Sequence, residues 1–538
     1  MLARPDLRLK IVENKAETLS IAIRRRGEIF LKMSRASNNH CRFCNDAPFQ
    51  DGTFWDFEAM TAMIDEGLAQ GVRRVFLSGG EPTIHPRFLD VIAYARDRGA
   101  ERVTVITNGR MFAYESFAKR AVARGLSEAF VAVLGRDAAT HDHLSQNPGS
   151  FEQTRAGIQN LLATGRCRVS LSTVVNKVNV SQLSELLTLI PGVAGLTAVR
   201  VAPAGRALFE SLDELGLDDE AARPHVAQAR SVAEALGLEF RPKLFPADYF
   251  EGFETEYVHH EEYLPEIKDT ELRTRLFSRF AEAGEDILCR GEACRVCYRR
   301  PFCDALYALR KDLLAGRRAI VRCDLDDERQ LTLLASVRGE RRLWLVARHG
   351  DTVRRALEEL QLEEPPAIVE IDELGDGPVP RSAMLLVRAD AVLSPSTDFS
   401  PAERVGLVLS AGAEPTPALR ARAELVVVPT WERMRDEQRH GVDPRAAEAT
   451  ELPVAGLPAC LARSRAELPP EEDVIDLIAV KGPNSLDVVG FTHLFLRRLD
   501  RTKSVRCRTC RVADTCGGVH VNLARRIGLA RLTPLGDK

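Results

Sequence analysis

Ser37-Asn-Asn-His-Cys-Arg-Phe-Cys44, and further along Gly79-Gly80-Glu81-Pro82, are the two stretches from which this chain is best approached. Cys41 and Cys44 stand two residues apart, the spacing of a loop that turns two thiols toward one metal group. The apolar run 73–78 ahead of the glycines has the character of a strand. Two glycines at its end carry no Cβ and let the backbone approach a bound group closely. Alone, Gly-Gly-Glu-Pro is an ordinary strand-to-helix turn.

Outward from these stretches the first 205 residues alternate strands and helices. Apolar, partly β-branched runs occupy 28–33, 73–78, 102–107, 129–134, 168–175 and 196–202. Between them lie helical stripes, one of Phe57, Met60, Met63, Ile64 and Leu68, the next of Phe88, Val91, Ile92 and Ala95. Continuous rather than alternating apolar strands suit a parallel sheet covered by helices. The expected class is α/β, with six βα units in a partial (β/α)6 TIM-like barrel. Loops at strand C-terminal ends carry the chemistry of such barrels, and Cys41, Glu81 and Asn108 fall there.

Together, Cys41-x2-Cys44, Gly-Gly-Glu-Pro, the Thr107-Asn108-Gly109 that ends a strand, and the six βα units resemble the radical S-adenosylmethionine (radical SAM) superfamily over about residues 25–205. The family motif is Cys-x3-Cys-x2-Cys, and Ser37 stands where its first cysteine belongs. The resemblance implies a 4Fe–4S cluster on three thiolates, with S-adenosylmethionine on the open fourth iron. It assigns Cys41 and Cys44 to the cluster, with Ser37 at a vacated ligand position. Phe43 would lie against adenine, Gly79 and Gly80 would admit the methionine portion, Glu81 ahead of Pro82 would accept from its ammonium, and Asn108 completes the cofactor set. A serine oxygen is a harder, more basic ligand than a thiolate and binds iron poorly. A second departure is Val131-Ala132-Val133-Leu134-Gly135, where family members often read Val-Ser-Leu-His-Gly. A working radical site and a retired one both remain open.

The other cysteines repeat a pattern. Cys294-Arg-Val-Cys297-x5-Cys303 and Cys507-Arg-Thr-Cys510-x5-Cys516 are both Cys-Arg-x-Cys-x5-Cys. They resemble the auxiliary-cluster regions called SPASM and twitch. Cys289 completes four thiols in the first block; Cys460, in Gly456-Leu-Pro-Ala-Cys460, is the expected fourth member of the second, with Cys323 its rival. Structural zinc is the alternative occupant, because four thiolates in this spacing also suit a tetrahedral ion. Cys167 and Cys323 read as small buried hydrophobes.

Length predicts several domains. These are an N-terminal extension (1–24), the barrel (25–240), a Cys-rich auxiliary-cluster region (241–318), an inserted α/β segment that resembles a worn second barrel (319–450), and a SPASM-like C-terminal region (451–538). Runs at 343–346, 383–387 and 425–428 read as strands of the inserted segment. A formal net charge of −3 points to neither nucleic acid nor a membrane surface as partner. The sequence has no apolar stretch long enough to span a bilayer and no signal-peptide pattern, so the expected location is cytoplasmic. Arg348-His349-Gly350 resembles the phosphoryl-accepting motif of histidine phosphatases. Neither His440 nor His493 has the surroundings of the second histidine that chemistry needs, so the tripeptide reads as chance. Paired His259 and His260 read as a solvated acidic surface.

The resemblance implies reductive cleavage of S-adenosylmethionine to a 5′-deoxyadenosyl radical that modifies a peptide or protein, fed by a low-potential flavodoxin or ferredoxin. The alternatives are a catalytically retired barrel serving as a cluster-bearing binding protein for a peptide or other partner, and a zinc-stabilised protein.

Overall fold

The computed structural model describes residues 23–536 apart from 26–27, 203–205, 208–209, 258–276, 278–279, 282–283, 286–290, 316–317, 392–393, 395, 432, 463, 467, 470–472 and 483. Cys289, His259 and His260 lie outside the described residues. The chain divides into two compact units, one within Met1–Phe245 and Gly291–Cys297, the other within Pro246–Arg290 and Tyr298–Lys538.

In the first unit an 8-stranded sheet runs in chain order: β1 (Ile23–Arg25), β2 (Glu28–Lys32), β3 (Arg74–Ser78), β4 (Arg102–Thr107), β5 (Glu128–Ala132), β6 (Arg168–Val175), β7 (Gly195–Arg200) and β8 (Glu239–Lys243). β1 is antiparallel to β2, and every later pair is parallel. Parallel neighbours in strict sequence, joined by helices, curl into the half-barrel that the sequence predicts. The six predicted runs coincide with β2–β7 to within two residues. β8 went unpredicted because Glu-Phe-Arg-Pro-Lys has one aromatic and a proline; as an edge strand it tolerates the missing donor of Pro242.

Register separates the two faces of this sheet. Ile29, Leu31, Val75, Leu77, Val103 and Val105 are fully buried. Their neighbours Phe30, Phe76, Ile106, Phe130 and Ala132 point the other way and stay half-buried, lining the concave face. Phe30 and Phe76 stack with centroids 5.3 Å apart. Helix α1 (Phe57–Ala69) starts where the Asp56 carboxylate accepts from the Glu58 and Ala59 amides. It buries Met60, Met63 and Ile64; α2 (Phe88–Asp97) buries Phe88, Val91, Ile92 and Ala95, so both predicted stripes face inward.

The second unit repeats the strand logic. Its sheet order is β15-β14-β13-β12-β11-β10-β9-β16, all parallel, from β9 (Ile320–Asp324), β10 (Arg342–His349), β11 (Ile368–Glu373), β12 (Ser382–Arg388), β13 (Ala402–Val408), β14 (Leu425–Val427), β15 (Val454–Ala455) and β16 (Val474–Asp476). The three strands predicted in the inserted segment lie in β10, β12 and β14, and seven strands again follow one another in sequence. His349, at the end of β10, is exposed and pairs with Glu373 at 3.1 Å. Cys323 on β9 is fully buried, as its apolar run implies.

One face of this sheet holds a buried ion pair. Arg322 lies 3.0 Å from Asp476 and 3.5 Å from Glu370, and Trp344 Nε1 donates to Glu370 at 3.2 Å. Burial pushes the Asp476 carboxyl up, but the guanidiniums of Arg322, Arg497 and Arg498 outweigh it and hold the acid below its ordinary value. A depressed folded pKa contributes stability above the unfolded Asp range near pH ~4 and loses it as pH falls through the folded value. Asp476→Asn strands Arg322 in a dry site, with an expected loss of about 3–5 kcal/mol. Denaturant melts at neutral pH measure that loss, and the mutant's deficit should shrink on acidification.

Candidate functional site

The mouth of the first half-barrel is assembled by backbone before any side chain takes part. Beyond β2 the chain runs beside the end of β3: Met33 N–H donates to Ser78 O at 2.8 Å, Gly80 N–H to Ser34 O at 2.8 Å, and Glu81 N–H to Ala36 O at 2.7 Å. A Cβ on Gly80 would lie 2.1 Å from Ala36 O, and Gly79 has φ +114°. The sequence assigned these glycines to a ligand; the close neighbour in the structure is the backbone that leads into the cysteine loop.

Glu81 is fully buried, and its carboxylate gathers the strand ends. It accepts from the Thr83 amide (3.0 Å), Thr83 Oγ1 (2.5 Å), Thr107 Oγ1 (2.7 Å) and the Asn108 amide (2.7 Å). Burial raises its pKa, opposed by those donors. Most of its accepting capacity therefore serves the protein. Pro82 opens the short turn Pro82–Ile84 and is buried.

The cysteine loop is held by Asn108 and by side chains that the sequence did not single out, Arg110 and Asn147 among them. Asn108 Nδ2 donates to Asn38 Oδ1 at 2.6 Å, Asn147 Nδ2 to Asn38 O at 2.7 Å, and Arg110 to Asn38 O and Asn39 Oδ1. His40 N–H and Arg42 N–H donate to Ser145 O and Leu144 O, both at 3.0 Å. Arg206 donates its amide to Cys44 O (3.0 Å) and a guanidinium N–H to His40 O (3.3 Å). Arg136, after β5, pairs with Glu185 at 2.6 Å.

Within the loop Cys44 N–H donates to Cys41 O at 3.1 Å, so the two thiols share one turn, with half-buried Phe43 between them. Burial, with Cys44 next, pushes the Cys41 thiol up to about 12; burial likewise raises Cys44. Ser37 Oγ accepts the Asn39 amide at 3.2 Å, a local turn that already uses the hydroxyl. The loop fits two thiolate ligands, and its third position offers a hydrogen-bonded hydroxyl. Ala132 sits on the concave face beside Ser172, while Leu134 is buried, its carbonyl accepting from Asn179 Nδ2 at 2.9 Å.

In the second unit Cys460, Cys507, Cys510 and Cys516 line one cavity, together with Lys503, Leu532 and Leu535. Cys460 comes from a turn far from the other three in sequence. Burial, then Cys507 and Cys516, raise its thiol to about 11. Amides reach two of the sulfurs: Gly518 N–H donates to Cys516 Sγ at 3.4 Å and Leu535 N–H to Cys510 Sγ at 3.3 Å. The latter, with the Val512 amide, lowers the Cys510 thiol. Four thiols and amide donors around one cavity fit a group held by four thiolates. The rival Cys323 is fully buried in β9 and does not line this cavity. In the first block Cys294 and Cys297 belong to the first unit and Cys303 to the second.

Gly80→Ala places a methyl against Ala36 O. It should cost about 1–3 kcal/mol, read by denaturant melts.

Residues 31–190 match the radical SAM superfamily. An AdoMet-dependent heme synthase of Methanosarcina barkeri is 31% identical over 169 residues, 31% of this chain and 47% of that protein. Mycofactocin maturase MftC of Mycobacterium tuberculosis is 34% identical over 145 residues, 27% of this chain and 36% of its own. The chain thus spans less than half the length of these curated relatives. The structure of Streptococcus suis SuiB bound to precursor peptide SuiA aligns at 14% identity and TM-score 0.35, over 42% of this chain and 50% of that one. The family's cofactors are a 4Fe–4S cluster and S-adenosylmethionine, and no helix among the described residues is long and apolar enough to cross a membrane. Residues 31–190, from within β2 to the segment ahead of β7, are a radical SAM superfamily domain.

Proposed function

We propose that this chain is an iron–sulfur protein that reductively cleaves S-adenosylmethionine to modify a peptide or protein, with an auxiliary 4Fe–4S cluster on Cys460, Cys507, Cys510 and Cys516. The observation that carries it is the four-thiol cavity in a chain that also has a radical SAM domain. Four thiols in this spacing also suit a tetrahedral zinc, and it is the radical SAM domain in the same chain that favours iron–sulfur. Cys289, Cys294, Cys297 and Cys303 are assigned to a second auxiliary cluster by the repeated pattern. The similarity to a maturase supports the substrate class.

At the radical site, Cys41 and Cys44 would hold iron, and Phe43, Gly79, Gly80, Glu81, Pro82 and Asn108 would surround S-adenosylmethionine. A bound cluster supplies one electron to that cofactor, drawn from a flavodoxin or ferredoxin. The chain's own work is to hold the loop: Arg110, Asn108 and Asn147 fix Asn38 and Asn39, so the thiols keep their place without a third cysteine. The engaged hydroxyl of Ser37 favours one other reading, a barrel that has lost its radical site and serves as a cluster-bearing binding protein.

Anaerobic incubation with S-adenosylmethionine and dithionite, comparing the chain with Ser37→Cys, separates the two. The expected product is 5′-deoxyadenosine from the chain as it stands, detected by mass spectrometry, with more from Ser37→Cys. Product from neither, with auxiliary iron bound, overturns the radical reading and leaves the binding protein.

Reconstituted protein should carry about eight auxiliary irons, and Cys510→Ala should remove about four of them without loss of helix signal. Stoichiometric zinc and no iron uptake would refute the auxiliary clusters.

A further inference from the structure

The segment Leu532–Gly536 runs along the four-thiol cavity and is tied down on both sides. Leu532 is buried, its amide donating to Leu529 O at 3.0 Å, and the Arg511 amide donates to Gly536 O at 3.2 Å. Between these anchors Leu532, Thr533, Pro534 and Leu535 all line the cavity. The Leu535 amide donates to Cys510 Sγ at 3.3 Å. Pro534, which has no N–H, restricts the backbone just ahead of that donor. Thus an anchored segment well beyond Cys510 in sequence carries an amide onto its sulfur.

We propose that Leu532–Gly536 is a strap that tunes and shields the group on these thiols. It does so by placing a backbone N–H donor on Cys510 Sγ and a wall of side chains along the cavity. The inference rests on reading the cavity as a 4Fe–4S site. Reduction adds one electron to such a group, and a donor aimed at sulfur stabilises the added negative charge. The strap therefore raises the midpoint potential and slows attack by oxygen and water. Leu535 acts through Cys510 and is a positioning residue.

The test uses the full reconstituted chain and four variants. Leu535→Pro deletes the donor, and Thr533→Pro adds a ring to the same segment while leaving that donor in place. Leu535→Ala keeps the N–H and trims the side chain. Cys510→Ala marks which paramagnetic signal belongs to this block. Iron content, midpoint potential by EPR-monitored titration and the rate of bleaching in air are read on each. The strap predicts near-full iron in both proline variants, with a lower potential and several-fold faster bleaching in Leu535→Pro than in Leu535→Ala or Thr533→Pro. A Leu535→Pro variant that holds full iron and matches Leu535→Ala in both readouts overturns the strap and leaves the cluster assignment standing. Absence of any iron that Cys510→Ala removes overturns the cluster assignment and the strap together.

Discussion

Four protein donors converge on the buried carboxylate of Glu81, and the mouth of the first half-barrel is arranged around that convergence. The carboxylate joins the end of β3 to the end of β4. Its amide meanwhile bonds Ala36 O, which sets the path of the cysteine loop. A buried carboxylate without such donors would be costly, and with them it is a rigid junction. The glycines before it follow from the same constraint, because only a residue without Cβ lets Ser34–Ala36 pass so close.

The loop that emerges from this junction is built to stay ordered. Asn38 is held on its side-chain oxygen by Asn108 and on its carbonyl by Asn147 and Arg110. These bonds come from two different loops of the half-barrel, one after β4 and one after β5, so the position of Cys41 and Cys44 depends on strands well beyond β2. If the loop holds a cluster as proposed, Ser37 would cost ligand strength while these hydrogen bonds keep the loop in place.

The second four-thiol set has a different origin. Three of its members come from one compact motif, which backbone turns bring together: Cys510 N–H bonds Cys507 O at 3.2 Å, and Cys516 N–H bonds Val512 O at 2.9 Å. The fourth, Cys460, arrives from the turn after β15, carried there by a sheet whose strands follow the order of the first. The buried pair of Arg322 and Asp476 links β9 to β16 across that sheet.

Periodicity and motif were enough for the six central strands, the two helical stripes and the pairing of Cys41 with Cys44, since each is a local pattern of side chains. The repeated Cys-Arg-x-Cys-x5-Cys likewise picked out three of the four thiols that line one cavity. Other features escaped because they have no local signature. β8 is polar and edge-placed, Arg110 and Asn147 act on a loop far away in sequence, and the Leu535 amide is a donor that every non-proline residue carries. The sequence by itself determined the six central strands of the first sheet and the local spacing of the cysteines. Tertiary structure alone decided which atoms meet, because long-range approach depends on backbone paths that side-chain identity does not encode.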